Sequence, residues 1–350
     1  MTSNTIRAIV VGGTGYTGAE LLRLALGHPS IELVSVVGNT TAERPIAEVL
    51  PSLRGVFEGT VEPFDADAIA ARADVAFCAL PHAASAEVVS ALRQRGLKVF
   101  DLSADFRFDD QAVYERLYGT HPVSELLSEA VYGLVELHRE ELKTADLVAV
   151  PGCYPTASTL GLAPLVKAGL IRREGIVVDA KSGVSGAGRG LSSATHYPET
   201  AEGVRAYEAG VHRHGPEIEQ ELSRLAGGAI HITFVPHLLP MTRGILATCY
   251  AEPAGSGSTP AICTEAAREL YAGSPSVHVL DPGDHPDTLW VRGSNRVHVA
   301  YTQDPGSGKI IAMSAIDNLV KGAAGQALQC LNVRFGLEEG AGLGAPAEWP

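Results

Sequence analysis

The sequence predicts an α/β chain in two main parts: a parallel sheet of strand–helix–strand units over residues 1–150, then a mixed α+β domain over 151–315. Three observations carry this. A buried-strand run, Ile6–Val11, closes in a glycine turn and a helix before a second strand run, Ile31–Val37. Apolar strand runs then alternate with helical periodicity as far as Val150, which is how a parallel sheet reads in sequence. Beyond Ala229 strand runs dominate and double back on one another, which is antiparallel character. At 350 residues the chain is long enough for two ordinary cores.

Composition narrows the function classes. A formal net charge of −13 argues against nucleic acid or an anionic membrane as the main partner, since both require basic surface. A small anionic ligand is still allowed, because a local cluster of cations outweighs the global sign. The five cysteines are scattered, with no CxxC pair and no Cys/His cluster at zinc spacing, so no metal is expected. Free thiols suit a reducing compartment. The strand pattern begins just after Asn4, and no apolar run approaches the ~20 residues that span a bilayer. The expectation is a cytoplasmic protein.

The first elements justify the parallel-sheet reading. Ile6–Val11 runs into Gly12-Gly-Thr-Gly15-Tyr-Thr-Gly18, then a helix over residues 19–26 that Gly27 and Pro29 stop. Strand, glycine turn, helix and strand within about thirty residues is the Rossmann dinucleotide-binding unit. Gly12, Gly15 and Gly18 stand at GxxGxxG spacing, yet their use is the same: a tight turn, close approach to a pyrophosphate and helix-on-strand packing. The second strand ends in Gly38-Asn39-Thr40-Thr41, with Arg44 shortly after. An NAD-selective site places a carboxylate there, whereas hydroxyls, an amide and a cation suit a 2′-phosphate. NADP(H) is the expected cofactor, with Thr40 at that phosphate.

The alternation continues through the strand at residues 74–80, Pro81-His82, a helix over 86–95 and a strand over 97–100. His82 reads as a packing and hydrogen-bonding residue. Asp101, Ser103, Asp105 and Arg107 form a polar cluster that either meets substrate or fixes a loop. Arg107 suits a carboxylate or phosphate.

The stretch Val150-Pro-Gly-Cys153-Tyr-Pro-Thr156 is the centre of the second part. A strand ends in Pro-Gly and a cysteine follows at the start of a helix. Unpaired N–H groups and the helix dipole there favour the thiolate, which is the nucleophile. The alternative is a buried structural thiol. Lys181 to Gly190 carries several Gly and Ser residues between two cations, a composition shared by anion-binding loops and linkers. His212-Arg213-His214 precedes Pro216, Glu217 and a helix over 219–225, and histidine beside a poised cysteine suggests an activated pair. A last helix is expected over residues 317–332, with 316–336 returning to pack on the first domain. The Gly/Ala/Pro-rich tail, 337–350, reads as loose, with Trp349 a candidate anchor.

Nine motifs carry a resemblance: GGTGYTG, ALPH, DLSADFR, YGLVEL, PGCYPT, KSGVSGAGR, HRHGPEI, PHLLPMTRGI and DNLVKGAAGQA, in that order from Ile6 to about Phe335. The chain resembles the N-acetyl-gamma-glutamyl-phosphate reductases, within the aspartate-semialdehyde dehydrogenase and glyceraldehyde-3-phosphate dehydrogenase fold group. The resemblance implies a catalytic and oligomerisation domain of the glyceraldehyde-3-phosphate dehydrogenase-like type, and a homo-oligomer, dimer or tetramer. It implies Cys153 as the acylated nucleophile, with His212 preferred to His214 as acid/base. Ser182, His214 and Glu217 would surround the substrate. Gly12, Thr14, Gly15, Tyr16 and Gly18 would hold NADP(H), with Asn318 near the nicotinamide. The implied reaction, in arginine biosynthesis, reduces N-acetyl-gamma-glutamyl phosphate to N-acetylglutamate 5-semialdehyde and phosphate through a cysteine thioester. The rival readings are an enzyme for aspartyl phosphate or a carrier-linked glutamyl or aminoadipyl phosphate, and a non-catalytic NADP-binding sensor.

Overall fold

The structure, a computed structural model, describes residues 5–348, so the expectation for Trp349 lies outside the described residues. The chain divides into two compact units. One takes the chain up to Pro151 together with Ala323–Gly344; the other takes Gly152–Gly322 and the chain from Ala345.

The first unit is built on six strands lying side by side in the order Ile31–Val37, Ile6–Val11, Val75–Cys78, Lys98–Asp101, Leu147–Ala149, Ala130–Tyr132. Every neighbouring pair is parallel. A parallel sheet covered on both faces has no solvated side, which is why its strands read as unbroken apolar runs. Ile9, Val10, Phe77, Phe100 and Val148 are fully buried. The chain leaves Ile6–Val11 towards one side and returns on the other at Val75–Cys78, and such a switch point opens the crevice where open α/β sheets bind ligands.

The end of the chain completes this unit. In place of one helix over 317–332, the strand Ile310–Ile316 is followed by a widened turn, Val320–Ala324, and only then by the helix Gly325–Arg334. That helix packs on the helices Val135–Leu142 and Tyr16–Leu26. Gln326 Nε2 donates to the Gly133 carbonyl at 2.6 Å, and Arg334 pairs with Asp146 at 2.8 Å. The tail is not loose through Leu343. Asn332 Nδ2 donates to the Glu339 and Ala341 carbonyls, Glu339 pairs with Arg139 at 2.7 Å, and Leu343 is buried. Composition alone hides this because the anchors are backbone carbonyls and one carboxylate.

The second unit is a seven-stranded mixed sheet in the order Val277–Val279, Val297–Gln303, Ile310–Ile316, Ile245–Ala251, Ile176–Gly183, Ile232–Leu239, Arg205–Ala206. Its four central strands alternate residue by residue between buried and half-buried, the period-two signature of a sheet covered on one face. The helices Cys153–Lys167, His214–Ala226 and Pro260–Leu270 pack on that buried face. The opposite face presents Val177, Val235, Leu246, Tyr250, Ile311 and Met313, all half-buried. No helix among the described residues is long and apolar enough to cross a membrane.

Candidate active site

The helix Cys153–Lys167 begins at the cysteine itself, three residues earlier than its apolar run suggests. Gly152 before it is extended, φ −67 and ψ 155, and no side chain caps the helix. Tyr154 through Val166 are all buried, so the helix is a core element with one accessible end. Cys153 at that end is half-buried, whereas Cys78, Cys249, Cys263 and Cys330 are buried. Burial pushes the Cys249 thiol up to about 12 and the Cys263 thiol to about 11, leaving both inert at neutral pH. Of the five thiols, only Cys153 combines access with a helix N-terminus.

The helix His214–Ala226 packs against the Cys153 helix. Glu217, in its first turn, is fully buried, and its Oε1 accepts the Gly152 N–H at 2.8 Å. This gives Glu217 a task other than the expected contact with substrate: it grips the residue in front of the nucleophile. His214 lies three residues before Glu217 and therefore on the same helix face. That face is turned to the start of the Cys153 helix.

His212 sits one step outside the helix. Its Nδ1 accepts the His214 backbone N–H at 3.1 Å, which places the proton of the neutral ring on Nε2. Nε2 lies 3.9 Å from Glu208 Oε2. The ring is walled by Tyr154, Tyr207, His214 and Phe234, with centroids 4.8–5.8 Å away. Burial, helped by the neighbouring Arg213 cation, pulls its pKa down to about 4, so His212 is neutral at pH 7. Tyr154 and Tyr207 have no place in the sequence expectations. The Tyr207 hydroxyl donates to that of Tyr154 at 3.0 Å, and the Tyr154 hydroxyl donates to the His237 carbonyl at 3.2 Å. Burial raises both phenols, Tyr207 to about 12, so each remains a neutral donor. Their one sequence signal is position: Tyr154 follows the cysteine, and Tyr207 lies five residues before His212.

The other predicted residues divide. Ser182 is buried at the end of Ile176–Gly183, its hydroxyl donating to the Gly183 carbonyl at 3.0 Å. Asn318 is buried; its Oδ1 accepts the Gly244 N–H and its Nδ2 donates to Ser185 Oγ, so it ties two turns together. Lys181 lies on the strand and pairs with Asp179 at 2.9 Å, so the predicted anion loop does not start there. Arg189 is exposed. Arg107 does not offer its guanidinium as expected. It is buried, with Nε on the Val150 carbonyl and Nη2 on the Leu102 carbonyl, both at 2.8 Å. It steadies the segment leading to Pro151.

The polar cluster around Arg107 fixes a turn. Asp105 accepts the backbone N–H groups of Ala83, Ser85 and Ala86 at the start of the helix Ala86–Arg93. His82 Nδ1 accepts the Ala104 N–H at 3.0 Å. Asp101 is fully buried and accepts the Ser85 and Ser103 hydroxyls, each at 2.6 Å. Burial pushes its carboxyl from 3.8 to about 6 against those two hydrogen bonds. The folded state therefore holds this proton more tightly than the unfolded chain. Stability from this group is full with Asp101 protonated and falls by about 3 kcal/mol as pH rises across that window. Asp101→Asn is expected to gain stability relative to wild type from pH 4 to 6 and to run parallel above. Urea unfolding at a series of pH values checks this, and parallel curves throughout would refute it.

The glycine turn fits a dinucleotide. Gly12, at φ +78, sits at the switch point, where a Cβ would lie 2.4 Å from the Ala79 carbonyl oxygen. A Cβ on Gly18 would lie 2.5 Å from the Gly12 oxygen, so the helix packs on the turn itself. A Cβ on Gly15 would meet nothing closer than 3.8 Å, which leaves the helix start open on that side. No side chain caps the helix Tyr16–Leu26, so its first amides are presented to a phosphate. Thr14 Oγ1 accepts the Thr41 hydroxyl at 3.4 Å, Tyr16 is 44% exposed, and Thr40 is exposed. Among the described residues no group of three or more His, Cys, Asp or Glu is placed to hold a metal ion.

Residues 7–145 match the family described as semialdehyde dehydrogenase, NAD binding domain, and residues 153–318 match semialdehyde dehydrogenase, dimerisation domain. A Desulforudis audaxviator protein named N-acetyl-gamma-glutamyl-phosphate reductase is 51% identical over 346 residues, covering 99% of this chain and 100% of the relative. A Heliobacterium modesticaldum protein of the same name is 49% identical over 350 residues, covering 99% and 100%. Among solved structures, aspartate semialdehyde dehydrogenase II from Vibrio cholerae, complexed with ASA, superposes with TM-score 0.70 at 15% identity, covering 94% of this chain and 98% of that one. Aspartate semialdehyde dehydrogenase with NADP from Candida albicans gives TM-score 0.67, also at 15% identity, covering 94% and 98%. At that identity the structural likeness shows the fold alone.

Proposed function

The chain belongs to the N-acetyl-gamma-glutamyl-phosphate reductase family of semialdehyde dehydrogenases, oxidoreductases of arginine biosynthesis, and we propose that it works through a thioester on Cys153 with His214 as proton carrier. The reaction reduces N-acetyl-gamma-glutamyl phosphate to N-acetylglutamate 5-semialdehyde and releases phosphate. The observation that carries the mechanism is the accessible thiol at an uncapped helix N-terminus, gripped from behind by Glu217.

The Cys153 sulfur attacks the acyl carbon, and the tetrahedral species collapses with cleavage of the bond from carbon to the phosphate oxygen. Acyl transfer is thereby separated from reduction, which is what a covalent nucleophile achieves. The Gly152 amide is committed to Glu217, so the Cys153 amide is the nearest helix-start donor for the developing oxyanion. When bound, the nicotinamide cofactor supplies the hydride that reduces the thioester. His214 carries the proton between the thiol and the oxygen of the tetrahedral species. His212, neutral and hydrogen-bonded to the His214 backbone, holds the start of that helix in place. The preference for His214 over the expected His212 rests on the face it shares with Glu217.

NADP over NAD is supported by the exposed Asn39, Thr40 and Arg44 beyond the second strand, although the exposed Glu43 stands in the same loop. The half-buried face of the second sheet, where Val177, Val235, Leu246, Tyr250, Ile311 and Met313 stand beside the Asp179–Lys181 pair, is the surface a second copy would cover, and a monomer by light scattering would exclude this. Five cysteines, none of them in a disulfide, suit the cytoplasm. Steady-state assays with phosphate test the function. N-acetylglutamate semialdehyde with NADP should exceed free or carrier-bound semialdehydes, and NAD, by at least about tenfold in kcat/KM. A preference for aspartate semialdehyde would overturn the substrate assignment.

A further inference from the structure

We propose that Gly322 is a positioning residue for the Cys153 thiol, and that the widened turn around it serves to bring bare backbone against that side chain. This rests on the reading of Cys153 as the nucleophile.

After the strand Ile310–Ile316 the chain is pinned by Asp317, which is fully buried. Its Oδ1 accepts the Leu319 and Val320 N–H groups, and its Oδ2 accepts the Gly293 N–H at 2.7 Å, with the Arg243 guanidinium at 3.5 Å. The Gly322 N–H then reaches five residues back to the Asp317 carbonyl at 3.0 Å, one residue further than an α-helical turn. Such π-turns are rare and concentrate at functional sites. Here the extra residue carries Gly322 onto the nucleophile. A Cβ at 322 would lie 2.8 Å from Cys153 Cβ and 3.2 Å from Cys153 Cα. Carbon atoms in contact settle at about 3.5–4.0 Å. Gly322 does not take a positive φ, so its backbone does not require glycine, and the close approach to Cys153 does. Cys153 is therefore held from two directions. Glu217 grips the preceding amide and Gly322 abuts its Cβ, so the Cα–Cβ bond that aims the sulfur is fixed at both ends. Displacing a reacting group by about 1 Å costs on the order of 10²-fold in rate.

Gly322→Ala is the test, read by kcat, cofactor affinity and the pH profile of Cys153 alkylation by iodoacetamide, mapped by mass spectrometry. The expected result is a kcat lowered by about 10–100-fold, a displaced alkylation profile and unchanged cofactor affinity. Wild-type kcat with a wild-type profile overturns the proposal. Should Gly322→Ala fail to fold, the double variant with Cys153→Gly removes the obstructing Cβ and is expected to recover soluble protein and cofactor binding. Two neighbours remain at 3.2 Å: Ile316 Cδ1, a side-chain end that can rotate away, and the Cα of residue 153, which has to give by only a few tenths of an ångström. A double variant as unstable as the single one overturns the proposal. Full activity in Cys153→Ser would instead remove the nucleophile reading. A dead Cys153→Ser beside an unaffected Gly322→Ala would remove only this inference.

Discussion

Cys153→Ser is expected to bind the dinucleotide like the wild type and to lose phosphate-dependent oxidation of N-acetylglutamate semialdehyde by at least about 10⁴-fold. A serine hydroxyl is about the size of the thiol but is not ionised near neutral pH, and no helix N-terminus lowers its proton affinity far enough. The glycine turn and the uncapped amides of the helix Tyr16–Leu26, which would hold the pyrophosphate, are unaltered by the substitution. Titration of cofactor fluorescence together with steady-state rates checks both halves. Mass spectrometry of acid-quenched wild-type enzyme should show the acyl group on the peptide containing Cys153. Full turnover by the serine variant, or an acyl group on another residue, would end the thioester account.

The second large effect separates the two histidines. His214→Asn is expected to lower kcat by about 10²–10⁴-fold, the range for loss of a positioned acid/base. Asparagine keeps a polar side chain at the helix start, so stability should change little. His212→Asn is expected to act through packing. It removes a ring from a cluster with Tyr154, Tyr207 and Phe234, and stability should fall by about 1–3 kcal/mol. Activity per folded molecule should largely survive. The pH dependence gives a further check, because a base with a pKa near 4 cannot produce an acid limb near neutrality. If kcat collapses in the His212 variant and survives in the His214 variant, the roles exchange.

What the sequence revealed and what it hid follow one physical line. Periodicity reports burial, so the parallel strands read as apolar runs, and the runs that double back beyond Ala229 show the antiparallel part of the second sheet. The glycine turn was legible because Gly12 and Gly18 have no room for a Cβ. The accessible cysteine was legible from Pro-Gly before a helix. Residues whose roles depend on distant backbone were not. Arg107 looks like an anion clamp until the Val150 and Leu102 carbonyls are seen to occupy it. Glu217 looks like helix-start chemistry until its oxygen is found on the Gly152 amide, 65 positions away in the chain. Tyr207 offers only its position before His212, and Gly322 lies in the motif DNLVKGAAGQA as one more small residue, so neither role is legible. The choice between His212 and His214 turned on which of them shares a face with Glu217, and that required the helix to start at residue 214.

The discontinuous make-up of the first unit bears on how the protein is made. The helix that covers Gly133 and the asparagine that meets His28 emerge from the ribosome after every strand of that unit, the latter pair 304 residues apart. The parallel sheet is thus synthesised first yet cannot close its core until that helix has been made, while the mixed sheet has all its strands before the helix appears. For that interval the nascent chain displays unfinished apolar surface, the condition under which chaperones are recruited and aggregation competes.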